Sequence, residues 1–101
     1  MLVHIDKNNW KEEVLQADVP VIVDFFATWC GPCKMLSPIV EQVEKEHPEV
    51  KFLKVDVDEL GALAAKYNVY SIPTLILFQD GAKVAEQVGF LPKPGLEKFI
   101  A

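Results

Sequence analysis

The sequence predicts one α/β domain, a mixed sheet covered by helices on both faces. Three observations lead there. The chain has 101 residues, 50% hydrophobic and 25% charged, which fits one compact unit over 1–101 and leaves no room for a second. Strand-like apolar runs alternate with segments of helical spacing through the first part of the chain. The hairpin signal Asp80-Gly81 then places an antiparallel pair near the end. At this length folding hides roughly two-thirds of the unfolded surface, so the core needs neither a staple nor a metal.

The elements follow in order. Residues 6–17, DKNNWKEEVLQA, predict a short helix capped by Asp6 or Asn8, with Trp10, Val14 and Leu15 at helical spacing. Residues 19–27, VPVIVDFFA, are nearly continuously apolar and β-branched, the pattern of a strand buried on both faces. In residues 34–47, KMLSPIVEQVEKEH, an apolar stripe of Met35, Ile39, Val40 and Val43 predicts a second helix. Pro38 removes the bond to the Lys34 carbonyl and is expected to kink it. Residues 50–57, VKFLKVDV, predict another strand, and residues 58–68, DELGALAAKYN, a helix capped by Asp58. Residues 74–90, TLILFQDGAKVAEQVGF, predict two strands around Asp80-Gly81, and residues 92–101 a closing helix.

Charge narrows the function. The net charge is −5, and all ten basic residues are lysine. Sequence-reading of nucleic acid leans on arginine forks and a basic face, so a nucleic-acid partner is not expected. The start, MLVHIDKNNW, lacks the basic region and apolar run of a secretory signal, and no segment is long enough to span a membrane. The expectation is a soluble, cytoplasmic protein in a reducing compartment. There, a lone cysteine pair points to redox chemistry or metal rather than to structure.

That pair is Cys30 and Cys33 in WCGPCK, following a buried strand and opening a helix. A bridge this short constrains the unfolded chain little, which counts against a structural staple. Unpaired amides and the positive helix end favour an anion there, so a Cys30 thiolate should be stabilised, with Lys34 adding a nearby cation. Pro32 is tolerated in the first turn. Cys33, one turn on, should be less exposed than Cys30 and close enough to bond it. A metal would need two further ligands; His4 and His47 have no ligand spacing to the pair and read as surface residues.

Asp24, in mid-strand, is expected to be buried with a raised pKa, able to exchange a proton near neutral pH; the alternative is a side chain turned to solvent. Lys54 is in phase with Val50 and Phe52, so it either points inward as a partner of Asp24 or lays its stem on apolar surface with its head in water. Pro73 begins a strand in SIPT, where proline is allowed.

Taken together, WCGPCK, the strand aspartate six residues before Cys30, SIPTLILF, the DG turn and VGF resemble the thioredoxin family across nearly the whole chain. The resemblance implies a five-stranded mixed sheet with four flanking helices. It also implies a protein-disulfide reductase, with Cys30 attacking and Cys33 resolving. Asp24 would be the buried proton acceptor that helps activate Cys33, with Lys54 beside it. Pro73 would be cis and face the cysteines. Trp29, Gly31, Pro32, Ile72, Pro73 and Gly89 would form the docking surface, where an extended substrate segment pairs with backbone beside Pro73. No bound cofactor is implied, because the electrons travel in the two sulfurs. The implied partners are a thioredoxin reductase and proteins with reducible disulfides, and a monomer is expected. Three positions depart from the family pattern: Phe26 where tryptophan is common, and Tyr70 and Phe90 where smaller or basic residues are commoner. The last two alter the docking surface. Two other readings stay open: an oxidase or isomerase on the same fold, against which the Gly31-Pro32 dipeptide counts, and a binding module with incidental redox activity.

Overall fold

The structure, a computed structural model, describes residues 3–6 and 8–101. Strands β1 (Val3–His4), β2 (Val21–Phe26), β3 (Lys51–Asp56), β4 (Thr74–Gln79) and β5 (Ala82–Val88) lie in the order β1-β3-β2-β4-β5. Strand β3 runs parallel to β1 and β2, while β4 is antiparallel to β2 and β5, so the sheet is mixed. Helices α1 (Gly31–Glu46), α2 (Gly61–Lys66) and α3 (Lys93–Ile100) follow the expected order. The expected count of strands and helices holds only in part. Four strands of six or seven residues carry the sheet, and β1 is a two-residue edge pairing. The first helix contracts to one π-type turn, Lys11–Leu15, closed by the Gln16 amide on the Lys11 carbonyl at 2.9 Å. Asp6 Oδ1 accepts the amides of Asn8 and Asn9 just before it, at 2.7 and 3.1 Å. Lys7, within the expected helix, lies outside the described residues.

All six residues of β2 are buried, because both faces of the central strand are covered. Alternation then sorts its side chains. Val21, Val23 and Phe25 join Trp10, Val14, Ala64 and Phe78 in one core, under the first turn and α2. Trp10, Tyr67 and Phe78 meet there with ring centroids 5.2–5.7 Å apart. Ile22 joins Leu36, Val40, Val43, Phe52, Leu75 and Leu96 in a second core, under α1 and α3. Asp24 and Phe26 share the parity of Ile22 and so face α1.

Two local expectations change. Met35 is exposed, and the buried stripe of α1 is Cys33, Leu36, Val40 and Val43. The helix begins at Gly31, capped by Cys30, and the face it packs on the sheet core runs through Leu36, Val40 and Val43, which leaves Met35 outside. Pro38 sits inside α1 and is exposed. Helix α2 begins at Gly61 rather than beside Asp58, whose carboxylate is engaged elsewhere. At the C-terminal end of α1, His47 is not a free surface residue: its ring contacts Glu49 at 3.1 Å and Glu97 of α3 at 3.4 Å.

The β4–β5 turn has φ of 53° at Asp80 and 80° at Gly81, the two positive values a tight two-residue hairpin requires. A Cβ at Gly81 would lie 2.7 Å from the Leu15 carbonyl oxygen, a backbone atom that cannot turn aside. Gly81→Ala is therefore expected to destabilise the fold by about 1–3 kcal/mol, combining strain with a clash. Urea unfolding measures this, and a loss below about 0.5 kcal/mol, the range of ordinary surface changes, would mean the turn does not seat as described.

Candidate active site

Cys30 is the N-cap of α1, with extended backbone (φ −90°, ψ 114°) and Pro32 in the first turn. The two cysteines are joined by a disulfide, their Cα atoms 5.3 Å apart. Cys30 Sγ accepts the Cys33 amide at 3.1 Å, so a helix-end N–H points at this sulfur. A thiolate at Cys30 would meet that donor and the positive helix end; Cys33, inside the turn, lacks this cap position. The expected difference in exposure is absent: Cys30 is 4% and Cys33 6% exposed in the oxidised pair. Both sulfurs lie in a small cluster with Phe26 and Ala27, against which Val57 and Ile72 pack. The asymmetry between the cysteines thus rests on the cap, not on access.

Asp24 is 2% exposed, and its Oδ1 makes no hydrogen bond within the protein. It lies between the α1 core, which holds Ile22, and the cysteine cluster, which holds Phe26. Burial pushes its carboxyl from the ordinary 3.8 up to about 6, and the Lys54 charge partly opposes the rise. Lys54 pairs with Asp24 in the β2–β3 register. Its ammonium sits 4.3 Å from the Phe26 ring centroid, so the half-buried side chain combines an inward position with an apolar rest. Thr28, Cys33, Ser37, Lys34 and Lys54 line a cleft of about 200 Å³ that opens beside the Cys33 end of the pair.

Of the other singled-out residues, Ile72 is the one that packs on the cysteine cluster. Trp29 is 68% exposed, and Gly31 and Pro32 are exposed on the first turn. Ile72 is half-buried against the cysteine cluster, and the Ile72–Pro73 bond is cis. Gly89, at φ 91°, donates its amide to the Pro73 carbonyl at 2.8 Å, so these two segments meet. Sequence reasoning missed Asp58: its Oδ2 accepts the Trp29 indole N–H at 2.7 Å across 29 residues of chain. The Asp58 amide in turn donates to Asp56 Oδ1 at 2.9 Å, which orients the loop. No local signal encodes that contact. Among the described residues, no group of three or more His, Cys, Asp or Glu side chains is placed to hold a metal ion, and no helix is long and apolar enough to cross a membrane.

Comparison with known proteins agrees with this geometry. The thioredoxin family model matches residues 1–101. Thioredoxin C-2 of Corynebacterium nephridii is 44% identical over 100 residues, covering 98% of this chain and 93% of that protein. The Haemophilus influenzae thioredoxin is 43% identical over 100 residues, covering 98% and 94%. Thioredoxin 1 of Synechococcus elongatus is 46% identical over 92 residues, covering 90% and 86%. With its cysteine pair at the start of a helix and an aspartate buried in the preceding strand, the chain belongs to the thioredoxin family of thiol–disulfide oxidoreductases.

Proposed function

We propose that this protein is a protein-disulfide reductase, a single thioredoxin domain that works as a monomer in the cytoplasm. The observation that carries the reading is the Cys33 amide aimed at Cys30 Sγ, which favours a thiolate at Cys30 and gives the two sulfurs different tasks. The Cys30 thiolate attacks one sulfur of a target disulfide. A new S–S bond forms, the target bond breaks, and the first target sulfur leaves as a thiolate and takes up a proton. Cys33 then loses its proton and attacks Cys30 Sγ. The second target sulfur leaves, and the protein departs as the Cys30–Cys33 disulfide. Two electrons and two protons pass to the target.

Asp24 serves as the buried proton acceptor for Cys33, with Lys54 steadying its charge. Trp29, Gly31, Pro32, Ile72, Pro73 and Gly89 form the surface on which an extended target segment docks. A thioredoxin reductase returns electrons to the disulfide, and no bound cofactor takes part.

The equilibrium reduction potential of the Cys30–Cys33 couple tests the direction. The expected value is near −270 mV, a figure established for thioredoxin itself and not obtained from this geometry. A value of about −180 to −120 mV would identify an oxidant or isomerase and reverse the assignment.

A further inference from the structure

Phe26 packs with both cysteines, and its ring also carries a cation. The Lys54 ammonium lies 4.3 Å from the ring centroid, well inside the range of cation–π attraction. The strand register makes that position informative. Across β2 and β3, Lys54 is paired with Asp24, while Phe26 is paired with Asp56. The Lys54 side chain therefore leans one strand repeat, roughly 7 Å, past its own partner to reach the ring. Asp24 Oδ1 has no hydrogen-bond partner, so the ammonium is not seated on that oxygen. Phe26, Cys33 and Lys54 line the same cleft, so the ring, the second cysteine and the cation share one space.

A lysine head left to itself reaches for water. A buried carboxylate that must draw it in has to offset its lost hydration and freedom. The ring changes that balance. It holds the ammonium at the cleft whether Asp24 is charged or neutral, so the carboxylate meets a charge already in place.

We propose that Phe26 is a positioning residue for the resolving step: its ring holds the Lys54 ammonium in the cleft beside Cys33, where that charge supports the Asp24 carboxylate. This rests on the reductase reading, which gives Asp24 its task, and adds a residue that acts only through another. If the ring were merely apolar filling beside the disulfide, leucine would serve as well. The other titratable groups around the ring are His4, Asp56, Cys33 and Lys34. His4 meets it edge-on, with centroids 6.0 Å apart. Asp56 lies opposite it in the register, with its Oδ1 holding the Asp58 amide. Cys33 and Lys34 come from α1 and line the cleft.

The test follows the Asp24 carboxyl carbon by NMR from about pH 4 to about pH 9 in the oxidised protein, where the cysteines do not titrate. The parent midpoint is expected at about 6. Phe26→Leu should raise it by roughly half a unit to one unit, the size of a partly buried cation–π contact. Phe26→Trp keeps a ring and should not raise it. Lys54→Met should raise the midpoint too, and adding Phe26→Leu to that variant should change nothing further. Phe26 is 9% exposed, so Phe26→Met, a flexible apolar filler, takes the place of Phe26→Leu if the latter does not fold. In the reduced proteins, the pH inflection of Cys33 resolution should move with the carboxyl midpoint. A midpoint that Phe26→Leu leaves in place or lowers, or a rise that persists in full without the Lys54 charge, would overturn the proposal and leave the reductase reading intact. So would a rise that disappears with His4→Gln, because the ring would then act through the histidine. Resolution rates that ignore the carboxyl midpoint would overturn it by removing Asp24 from the reaction. A parent that reduces no disulfide would be a separate result, and would sink the reading on which the proposal rests.

Discussion

Cys33→Ser is expected to turn the protein from a catalyst into a trap, holding its targets in covalent mixed disulfides through Cys30. The first attack needs only the Cys30 thiolate, which keeps its helix-end donor because the amide of residue 33 survives the substitution. The second step is lost. In the parent, Cys33 stands one helical turn away, with the two Cα atoms 5.3 Å apart. Well-oriented neighbours of this kind act at effective concentrations of about 10⁵ M or more, far above any thiol in solution. Release from the variant then depends on external thiol and should slow by at least about a thousandfold. Non-reducing gels after mixing with a disulfide protein would show the adduct, and Cys30→Ser should show none and no turnover. Release at the parent rate would mean that the roles of the two cysteines are wrongly assigned. Replacing both cysteines separates the remaining reading: full biological function in the double serine variant would make the chain a binding module.

Much of the site was legible because it depends on local rules. The continuous apolar run around Val21–Phe26 marked a strand buried on both sides, so an acid inside it was expected to be buried rather than turned to solvent, and Asp24 is buried. The Asp80-Gly81 pair announced the hairpin through its backbone preferences. What escaped depends on tertiary context. The buried face of α1 is chosen by the sheet core it packs on, and a stripe read from Met35 onward put the wrong residue inward. Asp58 looked like a helix cap because its partner, the Trp29 indole, lies 29 residues away. The nearly equal burial of the two sulfurs comes from Phe26, Ala27, Val57 and Ile72 closing over the pair, residues from three separate segments. The cis bond before Pro73 could not be read from the tetrapeptide, since about 5–6% of such bonds are cis.

Asp24→Asn is expected to make the protein more stable and a slower catalyst at the same pH. The sign follows from the carboxyl's environment. Its folded-state pKa, about 6, lies above the ordinary 3.8, so the folded protein holds this proton more tightly than the unfolded chain. Below about pH 4 the group is protonated in both states and burial costs little. As pH rises from 4 through 6 the unfolded chain loses the proton first, and above 6 the folded protein carries a buried, incompletely partnered carboxylate. The difference corresponds to about 3 kcal/mol of stability forfeited at pH 8. Asparagine keeps the volume and removes the charge, so urea unfolding should find the variant more stable by up to that amount at pH 8, converging with the parent near pH 4. The Lys54 charge beside it loses a partner in the variant, which trims the gain. For the reaction the same removal is a loss. Cys33 must shed a proton before it attacks, and without the carboxylate that step should slow by up to roughly a hundredfold, the low end of what a positioned base contributes. The parent's resolution rate should also rise through pH 6 as Asp24 ionises, and this inflection should vanish in the variant. A variant with the parent's rate and pH profile would remove Asp24 from the mechanism, even if the stability gain at pH 8 were found in full. A fold that tolerates a carboxylate where a neutral group would be more stable is best explained by chemistry that needs the charge.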